Sequence, residues 1–85
     1  MLNKKHQKTL EAIFDRPTRA NIRWDDIEKL FGALGARQYN LGGSVVMFIL
    51  GDYKVTFHRP HPQKEAYKAI VDKVRKFLEE RGIEP

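Results

Sequence analysis

Two histidines, an arginine and a lysine stand close together as His58, Arg59, His61 and Lys64, at the end of an alternating apolar run. That set suits acid-base chemistry on a phosphodiester. An ordinary imidazole exchanges its proton near neutral pH, and a neighbouring cation favours the charge that builds on phosphate oxygens during displacement. Cleavage of RNA by its own 2′-hydroxyl needs a base, an acid and a cation, and His58, His61 and the head group of Arg59 or Lys64 supply all three. The same stretch, Thr56-Phe57-His58-Arg59-Pro60-His61-Pro62, also fits a purely structural role. It would then be a strand ending on a surface histidine, with prolines that stop pairing and lead into a helix.

Other chemistries find little in the chain. Cysteine is absent, and His58 and His61 lie on either side of Pro60, outside a helical register that would converge them on one ion, so neither a metal nor another cofactor is expected. Ser44, His58 and Asp52 make a triad only on paper, because no nucleophile-elbow context surrounds the serine, which reads better as a turn residue. Gly42-Gly43 lacks the lysine and following helix of a nucleotide-triphosphate loop.

Sixteen Lys and Arg against eleven Asp and Glu leave a formal charge of +5. A positive field suits phosphate backbones, acidic proteins or anionic surfaces. Arg59, Lys64, Lys54 and Lys68, with the Ser44 hydroxyl, are the candidate RNA contacts. Lys64, Lys68, Lys73, Arg75 and Lys76 also read as the solvated face of a helix. The charged start from Met1 to Lys8 has no apolar segment after it, and no later run reaches the length of a membrane span, so a cytosolic protein is expected.

The elements that must hold these residues follow from periodicity. Leu10, Ile13 and Phe14 stand at helical spacing before Pro17, and Trp24, Ile27, Leu30, Phe31 and Leu34 form a second apolar stripe closed by Gly35. Strands are expected at Arg37 to Leu41, Ser44 to Leu50 and Tyr53 onward, with Gly51-Asp52 as a two-residue hairpin turn. That turn pairs Leu50 with Tyr53 and Val45 with His58. Val46, Phe48, Leu50, Tyr53, Val55 and Phe57 then share a core face, while Val45, Met47, Ile49, Lys54, Thr56 and His58 share the other. Three apolar side chains there, Val45, Met47 and Ile49, invite a protein partner. A last helix is expected over residues 63–81, so that Arg59 and Lys64 flank its anion-friendly start. A single α+β domain of two layers results, with a three-stranded antiparallel sheet and helices on one face.

The order of Ala33-Leu34-Gly35-Ala36 at a helix end, a strand, Gly42-Gly43-Ser44, a hairpin, and residues 55–65 (VTFHRPHPQKE) before a final amphipathic helix resembles the HicA toxin family. These are small basic mRNA interferases of bacterial type II toxin-antitoxin systems. The likeness spans residues 22–83, with residues 1–21 as an N-terminal helical extension and linker. It implies a double-stranded-RNA-binding-domain-like fold, cleavage of mRNA and neutralisation by a HicB-like antitoxin. In the family pattern a histidine follows the glycine-serine pair, whereas Val45 follows Gly43-Ser44 here; the expected pairing sets His58 across from it. An RNA-cleaving toxin, a silent relative that only binds RNA or antitoxin, and a plain protein-interaction module all remain open at this point.

Overall fold

The computed structural model describes residues 2–85, so Met1 lies outside it. Its elements are α1 (Lys4–Phe14), α2 (Trp24–Ala33), β1 (Arg37–Gly42), β2 (Val45–Leu50), β3 (Tyr53–His58) and α3 (Lys68–Glu80). The strands form one antiparallel sheet in the order β1-β2-β3, and the helices pack against one of its faces. No helix among the described residues is long and apolar enough to cross a membrane.

The hairpin is built as its turn residues require. Gly51 has φ of 61°, whereas Asp52 has none of this left-handed character; glycine is therefore needed at the first turn position for its backbone, since nothing crowds a Cβ there. The register follows as expected, Leu50 against Tyr53 through Val45 against His58. Between β1 and β2 a bulge at Leu41 shifts the pairing from Asn40↔Val46 to Gly42↔Val45, and it leaves Leu41 largely exposed.

The core gathers Val46, Phe48 and Phe57 from the sheet with Ile27, Leu30 and Phe31 of α2 and Val71, Val74, Phe77 and Leu78 of α3. Phe31 and Phe48 stack at 4.2 Å with planes 9° apart, an arrangement that adds about 1 kcal/mol beyond area burial. Trp24, 3% exposed, packs edge-on to Phe57. Leu10 and Ile13 of α1 join the same core, so the N-terminal extension is an integral part of the fold. The hairpin end of the core face is less covered than its pattern suggested. Leu50 and Val55 are half-buried and Tyr53 is exposed, because α3 ends there and the Arg81 guanidinium, at 3.9 Å, is what lies over the Tyr53 ring among the described residues.

Both C-terminal stops are as expected. The Ala36 N–H donates to the Phe31 carbonyl and the Ile83 N–H to the Leu78 carbonyl, each at 3.0 Å, closing α2 and α3 in glycine-terminated caps. The start of α3 differs from expectation. Residues 63–67 are not helical, because they bridge to the segment at the start of α2: the Trp24 N–H donates to the Lys64 carbonyl at 2.9 Å and the Ala66 N–H to the Ile22 carbonyl at 2.7 Å. Backbone groups already used in that bridge are lost to a helix.

Arg75 also departs from its reading as a solvated cation. It is 5% exposed and donates to the Ile13 carbonyl at 2.9 Å, to Asp72 at 3.1 Å and to Thr18 at 2.9 Å. It therefore joins α3 to the end of α1 and the linker. Replacing it with methionine should lower the unfolding free energy by about 2–3 kcal/mol, since a buried carbonyl loses its charged donor, whereas Lys76→Met on the exposed face should change it by less than about 0.5 kcal/mol. Urea denaturation of the two variants checks this, and equal stabilities would refute the structural role of Arg75.

Candidate nucleic-acid interface

Sheet order leaves β3 with a free edge, and the non-helical residues 59–67 join it to α3. Between that edge and the first turns of α3 lies a groove of about 690 Å³ bounded by Ser44, Thr56, His58, Arg59, His61, Tyr67, Ile70 and Lys73. Among the described residues no carboxylate lines it. The two histidines proposed from sequence are thus brought together on one concavity with the Ser44 turn. His58 sits at the end of β3 opposite Val45, and the Ser44 carbonyl accepts the Arg59 N–H at 2.8 Å, which extends the ladder by one residue.

Two groove residues were not singled out from sequence. Tyr67 precedes α3 and is 46% exposed. The Lys73 ammonium donates to the Thr56 carbonyl on the free edge of β3 and stands 4.8 Å from the centre of the Phe57 ring. The only available signal was the spacing of Tyr67, Ile70 and Lys73 along one helical stripe, which does not reveal what that stripe faces.

Arg59 has a different task from the one expected. Its Nε donates to Glu28 Oε2 at 2.6 Å and its Nη2 to Asn40 Oδ1 at 2.8 Å, while Gln38 Nε2 donates to Glu28 Oε1 at 2.9 Å and Trp24 Nε1 also reaches the Glu28 carboxylate. Most of its directed hydrogen bonding is therefore spent inside the protein. Lys64 lies on the other side of the same turn, beside a separate depression of about 310 Å³ with Arg23, Trp24 and Gln63. Neither residue flanks the start of α3, which opens four residues after Lys64 with Lys68. Lys54 belongs to the outer sheet face, across from Ile49.

That outer face forms three cross-strand rows: Arg37, Ile49 and Lys54; Tyr39, Met47 and Thr56; and Val45 with His58. Val45, Met47 and Ile49 are half-buried there, and the helices all lie on the opposite side. His58 therefore touches both candidate surfaces, the groove and the apolar strip.

Glu28 is the half-buried polar centre of this end of the molecule, where sequence reasoning saw only a negative charge near the start of the helix. Its i, i+4 spacing from Trp24 was visible, but Arg59, Asn40 and Gln38 come from distant segments. Burial works against its charge, yet the hydrogen bonds from Arg59, Trp24 and Gln38 and the nearby guanidinium outweigh it, so its pKa falls below the ordinary 4.5. The sign follows: the stabilisation is complete above the unfolded value and is lost as pH falls through the lower folded value. Glu28→Gln should destabilise the protein at pH 7 and flatten the loss of stability below about pH 4.5, as read from urea midpoints across acid pH; an unchanged acid slope would contradict this. Comparison of the chain with protein-family models, curated proteins and solved structures returned no match.

Proposed function

We propose that this protein binds RNA in the groove between β3 and α3 and cleaves it by acid-base chemistry, as a HicA-like toxin of a type II toxin-antitoxin system acting in the cytoplasm. The observation that carries the reading is the meeting of His58, His61 and Lys73 on one concavity that no carboxylate among the described residues lines. One imidazole takes the 2′-hydroxyl proton, the 2′-oxygen attacks phosphorus, and the bond to the 5′-oxygen breaks as the other imidazolium gives that oxygen its proton. The products are a 2′,3′-cyclic phosphate and a free 5′-hydroxyl. A cation beside the phosphate stabilises the charge on its oxygens in the transition state. His58 takes the place of the histidine that the resembled family puts after its glycine-serine pair, since it lies directly across from Val45.

Purified protein incubated with end-labelled RNA should produce cyclic-phosphate ends. His58→Ala and His61→Ala should each lower the cleavage rate by about 10²- to 10⁴-fold with little change in RNA affinity. Cleavage that survives the double substitution would remove both imidazoles from the mechanism. Binding without any cleavage by the unaltered chain would favour the silent relative, in which Val45 marks lost activity.

The outer sheet face is the proposed docking surface for a HicB-like antitoxin. Apolar Val45, Met47 and Ile49 sit among the basic Arg37 and Lys54, which suits a partner with an apolar centre and acidic rim. Covering His58 from that side would also block the groove. Met47→Lys with Ile49→Lys should abolish co-purification with the antitoxin while leaving the fold intact by circular dichroism; retained co-purification would place the partner elsewhere.

A further inference from the structure

The α3 wall of the groove is one stripe, Tyr67, Ile70 and Lys73, and its two ends differ in chemistry. Tyr67, an aromatic residue, is 46% exposed. Among the described residues it has no aromatic, cation or side-chain hydrogen-bond partner, whereas the exposed Tyr53 carries the Arg81 guanidinium on its face. Lys73 is held at the opposite end by the Thr56 carbonyl and the Phe57 ring. An ammonium has three donors. One is used, and no carboxylate among the described residues pairs with this lysine, so a fixed cation with free donors stands in the groove.

We propose that the groove selects single-stranded RNA, with one unstacked base lying on the Tyr67 ring and a neighbouring phosphate on the Lys73 ammonium. This rests on the RNA-binding reading above and specifies its substrate. A base within a duplex has both faces covered by its neighbours and cannot stack on a side chain, whereas single strands are held by a ring for the base and a cation for the backbone. The space, about 690 Å³, falls in the range of ligand sites, and no acidic side chain among the described residues lines it to repel a phosphate. Ile70 supplies an apolar floor between the two contacts.

The test uses fluorescein-labelled 2′-O-methyl RNA, which lacks the attacking hydroxyl, at a length of about 12 nucleotides, both single-stranded and in a fully paired duplex. Anisotropy titrations compare the unaltered protein with Tyr67→Ala, Tyr67→Phe, Lys73→Gln and Lys73→Arg, each first checked for native circular dichroism. The single strand should bind more tightly than the duplex. Tyr67→Ala should weaken it about tenfold, with Tyr67→Phe retaining the affinity. Lys73→Gln should reduce the log-log salt slope by about 0.7, with Lys73→Arg retaining it. Equal or tighter duplex binding, or a single-strand affinity indifferent to Tyr67→Ala, would overturn this inference alone and leave RNA binding standing. Failure of the unaltered protein to bind either form would overturn both.

Discussion

The whole arrangement depends on the pairing that the Gly51 turn imposes on β2 and β3. Strand side chains alternate with a period of two, so a slip of one residue would send Val46, Phe48 and Phe57 to the solvent side. In the observed register Phe48 and Phe57 join Phe31, Trp24 and Phe77 in an aromatic cluster, and Val46 is buried in the same core. The same pairing sets His58 across from Val45 and sends its side chain to the face away from that cluster. Core and candidate site are thus two results of one backbone constraint.

A second constraint acts at the polar margin of the core. Glu28 receives donors from α2 itself, from β1 and from the residue just beyond β3, so one carboxylate ties the helix layer to both outer strands of the sheet. Removing any one donor leaves the others to hold the charge; removing the carboxylate leaves a guanidinium without its counter-ion in a partly dry setting. Arg59 belongs to this tie. The cation that faces the groove without an internal ion pair is instead Lys73, whose position comes from a backbone carbonyl and a ring face.

The groove exists because α3 starts late. Had residues 63–67 continued the helix, they would have taken up the hydrogen bonds that now bridge to Ile22 and Trp24. The non-helical path instead leaves space beside the free edge of β3, and Tyr67 and His61 border it. The Lys73 side chain covers one of the edge carbonyls, which also makes that edge a poorer template for unwanted strand pairing.

Sequence alone determined the helices around Leu10-Ile13 and Trp24-Phe31, the hairpin register and the division of the sheet into two faces, because each rests on local periodicity or on a turn that only certain residues can make. It also placed His58 and His61 together, since only Arg59 and Pro60 separate them. Tertiary structure decided which cations are free. Arg59 and Arg75 look in the chain like their surface neighbours, and their burial depends on Glu28, Asn40, Ile13 and Thr18, which lie far from them in sequence. It decided the start of α3 for the same reason: Gln63 to Tyr67 have no breaker after Pro62, and what withdraws them from the helix is a backbone bridge to a segment some forty residues earlier. Periodicity reports how a segment faces a layer; it carries no record of which distant donor will meet which acceptor.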